Sequence, residues 1–170
     1  MAGDKLLSKW SISVDGVGKA GNAKEYTPPV LEVQTVDFRA GDMDMAVPVE
    51  DGMAPMETSF ALFGIDIEVL PLFGLRQGKT ATVSVRSVYQ DMQGTSSDLV
   101  EELRGMITKI ERDTQDTGSQ KDKTTKVSMK LEYYKASFAK NTIVEIDALN
   151  GIRNLKGVDE LEGTRKLLAV

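Results

Sequence analysis

The chain has 170 residues, of which 41% are apolar and 28% charged, so it is long enough and apolar enough to bury a core as one domain over residues 1–170. It contains no cysteine and no histidine, which excludes disulfides, thiolate or imidazole metal ligands, and Ser–His or Cys–His nucleophile pairs. The net charge is −5, which disfavours binding along nucleic-acid phosphates.

The charges are unevenly distributed along the chain. Residues 37–68 hold eight acids against Arg39 alone, and residues 121–140 hold six lysines against Asp122 and Glu132. Patches of opposite sign favour self-association, although two solvated faces would produce the same pattern.

The first residues lack an apolar stretch long enough for a signal peptide, so the sequence predicts synthesis in the cytosol without a membrane anchor.

Apolar and polar residues alternate over residues 9–14, and the following Asp15-Gly16 predicts a hairpin turn. Gly16, Gly18 and Gly21 match GxGxxG. However, Pro28-Pro29 and a valine-rich run follow where a nucleotide site needs a helix, so a glycine-rich hairpin is the better interpretation.

Residues 27–38 are predicted to form one extended strand. Residues 38–55 are predicted to form a long connection, with a short strand near residues 45–49, and a connection of this length indicates a function or a partner. Its acids do not have EF-hand spacing. Its methionines suit either an adaptable contact surface or the core; they are Met43, Met45, Met53 and Met56.

The middle of the chain gives two clear strands and one ambiguous segment. Residues 56–63 and 80–89 alternate as strands, and residues 65–73 are the best helix candidate, with Pro71 shortening it and Gly74 as its C-cap. The apolar residues of segment 99–110 fit both the two-residue period of a strand and the 3.6-residue period of a helix, and their positions favour a helix.

The last third predicts strands at residues 124–138 and 142–147, after a polar loop at 113–123. Turns are predicted at Asn150-Gly151 and near Lys156-Gly157, before an amphipathic segment. Several long strands and few helices indicate a mainly β, antiparallel sandwich or barrel with one short flanking helix. Strand edges in such a fold need protection, which an oligomer supplies.

Short motifs follow one another in order along nearly the whole chain, and those near the carboxyl end are the most specific. They are Asp15-Gly16, Pro28-Pro29-Val30-Leu31, Phe38-Arg39-Ala40-Gly41-Asp42-Met43-Asp44, Glu50-Asp51-Gly52-Met53, Met56-Glu57-Thr58-Ser59-Phe60, Leu103-Arg104-Gly105, Tyr133-Tyr134-Lys135, Val144-Glu145-Ile146-Asp147, Asn150-Gly151, Gly157-Val158-Asp159, Leu161 and Arg165. Together they resemble the major tail tube proteins of contractile-tailed bacteriophages and are similar to the tube subunits of phage-tail-like bacteriocins.

The resemblance implies a structural protein rather than an enzyme, with no cofactor or metal. Six subunits would form a ring whose strands build one continuous inner β-barrel, and stacked rings would form a conduit that a sheath drives through the host envelope. It also implies that residues 99–110 are a strand paired with residues 124–138.

The implied partners are further copies of the chain, the tail sheath, the baseplate and terminator proteins, and the tape-measure protein or DNA passing through the lumen without stable binding. The implied location is the virion tail, assembled in the bacterial cytoplasm. Contacts between subunits or rings are predicted for eleven residues: Arg39, Gly41, Asp42, Met43, Asp44, Glu50, Asp51, Met53, Val158, Leu161 and Arg165.

Three other functions compete with this resemblance. A tube of the type VI secretion kind shares the architecture, but the carboxyl-terminal motifs favour the phage family. A ligand-binding β-barrel lacks support because aromatic residues are few and no polar cluster converges. An enzyme using Glu101 and Glu102 is disfavoured because adjacent residues of a strand point to opposite faces.

Overall fold

The computed structural model describes residues 5–74, 76, 78–118 and 120–169, and β-strands dominate them. The strands are β1 (Leu6–Val14), β2 (Val17–Gly18), β3 (Ala23–Thr27), β4 (Val33–Phe38), β5 (Val47–Met53), β6 (Met56–Phe63), β7 (Ala81–Gln90), β8 (Ser96–Arg112), β9 (Thr124–Phe138), β10 (Asn141–Asp147), β11 (Ile152–Leu155) and β12 (Val158–Asp159). The chain also forms 3-10 turns at Leu70–Leu72 and Gln120–Asp122 and the helix α1 (Glu162–Leu168).

Ten strands form one antiparallel sheet that branches at β9. One edge of β9 pairs with β8 along nearly its whole length. The other edge pairs with β6 over its first half, from Thr124 to Leu131, and with β10 over its second half, from Tyr133 to Phe138. The branching produces two layers: an inner run β3-β6-β9-β8, and an outer run β2-β1-β7-β8-β9-β10-β11-β12.

Gly105 lies where β8 passes from one run to the other. The register of β8 against β9 shifts between Arg104 and Gly105 and again between Ile107 and Lys109. A Cβ atom on Gly105 would lie 2.0 Å from the carbonyl oxygen of Lys130, so only glycine permits the observed approach of the two backbones. The two irregularities bend β8 around the core.

The core lies between the two runs and is built from the alternating inward residues of the long strands. Phe60, Leu62, Val83, Leu103 and Ile107 are essentially inaccessible. They pack in one cluster with inward residues of β1, β9 and β10, which joins both runs around a single core. The fold is therefore the mainly β, antiparallel, barrel-like sandwich that the sequence predicted.

Several predicted elements are confirmed. The Asp15-Gly16 hairpin is present with positive φ angles of 47° and 81°, which suit a two-residue turn. Strands β6, β7, β9 and β10 occupy the predicted segments. Residues 99–110 lie inside strand β8, so the helical periodicity was misleading and the resemblance was right, because pairing on both edges outweighs a local pattern.

The helix predicted at residues 65–73 was wrong. The segment is a turn that ends in the 3-10 turn Leu70–Leu72, with Pro71 at its start. Asp66 accepts hydrogen bonds from the backbone N–H groups of Glu68 and Val69, which stabilises a turn in place of a helical ladder. The flanking helix is instead α1, close to the carboxyl end of the chain.

Lys19 fastens this turn to the β2–β3 connection. Its side chain is 7% exposed, and its ammonium group contacts Asp66, at 3.0 Å, and Glu68. Burial alone would raise the pKa of Asp66, but hydrogen bonds from Lys19 and from the two backbone N–H groups outweigh it and lower the pKa.

The single strand predicted for residues 27–38 is divided by Pro28-Pro29. The part before the prolines ends β3, which pairs with β6 in the inner run. The part after them is β4, which pairs with β5 in a separate two-stranded sheet. The predicted long connection is therefore half strand: β5 covers residues 47–53 and turns the segment into a hairpin.

Candidate assembly surfaces

The β4–β5 hairpin, residues 33–53, is called the arm below. It pairs with no other strand in the described part of the chain, and every residue of β4 is exposed. Val36 lies opposite Val49, and Phe38 lies opposite Val47, so alternation places all four side chains on one face. Their exposed fractions are 55%, 50%, 56% and 38%, respectively. One face of the arm is thus an apolar surface that the subunit itself leaves uncovered.

The opposite face and the tip of the arm are polar and acidic. The arm contains five acids against Arg39, namely Asp37, Asp42, Asp44, Glu50 and Asp51. The tip is ordered by Arg39, whose Nε donates to the carbonyl of Met43 at 3.0 Å. Met45 is 73% exposed, whereas Met43 is half-buried beneath the tip. Of the four methionines singled out from the sequence, Met45 is exposed and Met56 belongs to the core.

An ion pair joins the base of the arm to the carboxyl-terminal strands. Arg153 Nη1 lies 2.5 Å from Glu50 Oε1, and the Arg153 side chain is 14% exposed. Beside this pair lies a groove of about 760 Å³ between the arm and the β10–β12 region. Met53, Leu131 and Leu161 are among its lining residues. Glu50 therefore holds the arm to its own subunit, and Met53 and Leu161 line a groove instead of standing out on the surface.

Arg165, predicted as a contact residue, is committed to internal bonds. Its Nη1 donates to the Gly151 carbonyl at 2.7 Å, and its Nη2 lies 2.5 Å from Asp159 Oδ2. Desolvation would raise the pKa of Asp159, but hydrogen bonds from the Leu161 N–H, the Arg165 side chain and the Arg153 N–H outweigh it and lower the pKa. Arg165 thus ties α1 to the turn after β10.

The predicted amphipathic segment at the carboxyl end is not one helix. Val158 belongs to β12 and is 61% exposed, whereas Leu167 and Leu168 lie on α1 and are 90% and 67% exposed. The segment presents separated apolar residues to solvent, not a continuous stripe.

Two strand edges of the inner run lack partners in the described chain. Strand β3 pairs with β6 on one edge only. On β8, pairing with β7 stops at Gly105, and the edge beyond it meets only Phe73 and Gly74, at Ile107. Residues 108–112 are left without a partner on that edge. The outer run ends in a two-residue strand on each side, β2 and β12.

Two lysines of the predicted basic segment lie among acids on the sheet. Lys126 and Lys130 project from β9 beside acids of the neighbouring strands, since Lys130 lies 3.3 Å from Glu57 and Lys126 is paired in register with Glu111. The acidic run, in contrast, is concentrated on the arm. The acidic segment therefore keeps its charges together on the arm, whereas these two lysines of the basic segment lie beside acids.

The geometry offers little for catalysis. Glu101 is 5% exposed and accepts a hydrogen bond of 2.7 Å from the Tyr134 hydroxyl, while Glu102 points to the opposite face and is exposed. Among the described residues no three acids come together in a way that could hold a metal ion.

No helix among the described residues is long and apolar enough to cross a membrane.

Residues 4–168 match the sequence model of the family described as phage tail tube protein FII. The major tail tube protein of Serratia phage KSP20 is 31% identical over 159 residues, which cover 92% of this chain and 91% of that protein. The tail tube protein of Escherichia phage P2 is 27% identical over 171 residues, with 98% of each chain covered.

Solved structures resemble the fold at much lower sequence identity. A chain of the sheath–tube complex of the PVC extracellular contractile injection system, in the extended state, matches with a TM-score of 0.60 at 10% identity over 76% of this chain and 88% of that one. A chain from the sheath/tube terminator of the same system matches with a TM-score of 0.59 at 9% identity, over 76% of this chain and 93% of that one. These likenesses establish the fold.

Proposed function

Because the chain belongs to the family of phage tail tube proteins, we propose that it closes into hexameric rings that stack into a hollow conduit for DNA. Family membership makes the chain a structural subunit of a contractile phage tail tube and a component of the virion. The observation that carries the ring is the inner run β3-β6-β9-β8, which has a free edge on each side.

Ring closure follows from the directions of these strands. All pairs in the run are antiparallel and the run contains an even number of strands, so β8 of one subunit runs opposite to β3 of the next. The unpaired part of β8, residues 108–112, is as long as β3, which spans five residues. Pairing them continues the antiparallel sheet around the ring and leaves no exposed edge.

The arm supplies the second kind of contact. Its apolar face, formed by Val36, Phe38, Val47 and Val49, is covered when it packs against another copy of the chain, in the same ring or the adjacent one. The acidic tip is the part of the arm furthest along the chain from the Glu50–Arg153 ion pair at the base, so it belongs to this contact. Its residues are Arg39, Gly41, Asp42, Met43 and Asp44. Asp51 and Val158 remain exposed and available, whereas Glu50 and Arg165 act within the subunit.

Substitution of the apolar face tests the role of the arm. The double variant Val36→Thr with Val49→Thr keeps β-branched side chains, and so the hairpin, but removes apolar contact area. We expect folded subunits with unchanged thermal unfolding that form few or no tubes by negative-stain electron microscopy. Asp37→Thr alters the opposite face of the same hairpin and serves as the matched control, with normal tubes expected.

Tubes of normal length from the double variant would contradict the role of the arm. Loss of tubes in Asp37→Thr as well would mean that both faces are buried in the assembly. If the unsubstituted chain forms neither rings nor tubes under any condition, the tube function itself fails.

The partners follow from the same proposal. Solved chains of this fold come from a sheath–tube complex and from a sheath/tube terminator, which supports a sheath and a terminator as neighbours of the assembled tube. A baseplate at the other end, a tape-measure protein during assembly, and assembly in the host cytoplasm complete the proposal. The phage relatives at 31% and 27% identity favour delivery of DNA over a bacteriocin-like particle.

A further inference from the structure

The segment that follows β6, residues 64–74, is called the β6 turn below, and its last residues contact the edge of β8. Phe73 forms a single β-bridge with Ile107 of β8. The Gly74 N–H donates to the Ile107 carbonyl at 3.2 Å. The β6 turn therefore occupies the edge of β8 directly before residues 108–112, the stretch of that edge that lacks a partner in the described chain.

The β6 turn is anchored along its length. Val69 is 1% exposed and belongs to the core cluster. The Thr125 hydroxyl donates to the Gly64 carbonyl at 2.6 Å, and the Lys19 ammonium group contacts the Asp66 carboxylate at 3.0 Å. Moving the turn off β8 would expose an apolar side chain and disturb a buried ion pair, so the turn resists displacement by an incoming strand.

Strand β3 is limited at the corresponding point. Pro28-Pro29 follow its last residue, Thr27, and proline has no N–H group to donate to a neighbouring strand. In an antiparallel pair the Thr27 end of β3 meets the Thr108 end of the unpaired stretch of β8. Each of the two edges therefore carries a stop, and both stops lie at the same end of the junction between subunits.

We propose that these two stops allow a single register between subunits, in which Tyr26 of one subunit lies opposite Ile110 of the next. Both stops act where β3 meets β8, so this register rests on the proposed ring. Within the subunit Tyr26 lies opposite Phe60, and Ile110 lies opposite Val127, so both side chains point to the core. Pairing them continues the core side of the sheet across the junction and carries Pro28-Pro29 just past the paired stretch.

A slip of two residues in either direction keeps the side chains on their faces but meets one of the stops. In one direction Thr27 would lie opposite Ile107, whose carbonyl is already bonded to the β6 turn. In the other direction Pro28 would lie opposite Ile110, inside the paired stretch, where it could not donate a hydrogen bond. Each stop thus excludes the slip that the other permits.

Charge by itself favours the slip toward the β6 turn. That slip would place Glu25 opposite Lys109, whereas the proposed register places Glu25 opposite Glu111, and like charges directly opposite each other are unfavourable. The cost is reduced because Lys109 Nζ lies 2.7 Å from Glu111 Oε2. The β6 turn therefore excludes an alignment that these side chains would otherwise prefer.

The choice of register determines whether a ring closes. A slip of two residues displaces the next subunit by about 7 Å along the strand. Repeated at every junction, this displacement leaves the last subunit out of line with the first, so the assembly becomes an open spiral instead of a ring.

Cysteine pairs measure the register, because the natural chain has no cysteine. Glu25→Cys with Glu111→Cys places the thiols opposite each other in the proposed register, whereas Glu25→Cys with Lys109→Cys places them diagonally. Diagonal neighbours lie about 7–8 Å apart, which is too far for an unstrained disulfide. We expect fast linking of assembled subunits by the first pair and much slower linking by the second.

Gly74→Pro removes the stop on β8. Proline lacks the N–H that bonds to Ile107 and cannot adopt the φ angle of 60° found at Gly74. With this change we expect the diagonal cysteine pair to link as fast as the opposite pair. The same change without cysteines should give open spirals in negative-stain electron microscopy. The conservative variant Gly74→Asn keeps the N–H and tolerates a positive φ, so it should retain slow diagonal linking and closed rings.

Thermal unfolding of free subunits shows whether Gly74→Pro folds. If it does not, Lys19→Met takes its place, because it removes the ion pair that holds the β6 turn and keeps a long side chain at that position. A rise in diagonal linking is again expected.

Equal linking by the two cysteine pairs with the natural turn would overturn the proposed register. So would an unchanged ratio of the two links in the folded variant that lacks the stop. Closed rings in which neither pair links would overturn it as well, while leaving the tube function intact. Absence of both rings and tubes from the natural chain is instead failure of the tube function, and the two failures are therefore distinguishable.

Discussion

At Gly105 the backbones of β8 and β9 approach so closely that there is room for the hydrogen atom of glycine but not for the methyl group of alanine. The bend of the sheet therefore depends on glycine at this position. The position adjoins the first register shift of β8, and it is fully buried between the two runs. The sequence contains it within Leu103-Arg104-Gly105, yet nothing in the local pattern distinguishes this glycine from those in turns. Its role depends on Lys130 of β9, which lies 25 residues further along the chain.

The substitution Gly105→Ala should destabilise the subunit by about 3 kcal/mol, because the new Cβ atom meets backbone that cannot move aside. Gly18→Ala is the control, since a Cβ there meets nothing within 4 Å and the φ angle is not positive. Denaturant unfolding of unassembled subunits measures both, and only Gly105→Ala should lower the midpoint substantially. Equal midpoints for the two variants would show that β8 and β9 can separate without cost.

Among the elements, the arm and the carboxyl-terminal region show how short segments are held without a core of their own. The strands of the arm pair only with each other, and its base is held by the pair between Glu50 and Arg153. The region from β10 to α1 is held by Asp147, which accepts bonds from the Leu149 and Asn150 N–H groups, and by Arg165. Hydrogen bonds and ion pairs hold these short segments in place, whereas burial of apolar side chains holds the long strands.

Arg165→Gln should loosen the carboxyl-terminal region while the barrel stays folded. Its hydrogen bond to the Gly151 carbonyl is of a kind worth about 2 kcal/mol. We expect faster amide hydrogen exchange at Glu160 and Leu161, with exchange in β8 and β9 unchanged. Lys166→Gln, on the next residue and paired only with Glu162 at the surface, should leave exchange as it is. If Arg165→Gln impaired assembly without faster amide hydrogen exchange, Arg165 would instead act in contacts between subunits.

On the scale of the whole molecule, branching of the sheet at β9 gives the subunit the two strand edges on which the proposed ring depends. It separates an inner run, both of whose edges lack partners among the described residues, from an outer run that ends in the two-residue strands β2 and β12. A subunit with only one free edge would form a dimer, whereas two free edges of opposite strand direction propagate around a ring.

Paired cysteines across this junction should link subunits into a ladder that ends at the hexamer. Glu25→Cys on β3 combined with Lys109→Cys or Glu111→Cys on β8 places thiols on the same face of adjoining strands, where opposite residues are close enough for a disulfide. The products of mild oxidation are read on a denaturing gel without reductant, with each single variant as control. A ladder obtained only with a cysteine on the free edge of β1, such as Leu7→Cys, would show that the outer run joins the subunits.

Alternation in the sequence determined strands β6, β7 and β9, because a period of two residues sorts side chains to the two sides of a sheet wherever it forms. The turn at Asp15-Gly16 was equally local, since its dihedral angles depend on two residues. The resemblance in ordered motifs identified the family, which the comparisons then confirmed.

Tertiary structure alone decided what depends on partners distant in the sequence. The helical pattern in residues 99–110 gave way to a strand because β7 and β9 pair with both of its edges. The turn at residues 65–73 formed because Lys19 and the Asp66 carboxylate compete with a helix. The predicted contact residues divided into an exposed tip, two further exposed positions (Asp51 and Val158), a groove and two internal ion pairs. The reason is the same: a side chain's partner is set by the folded chain, not by its neighbours in sequence.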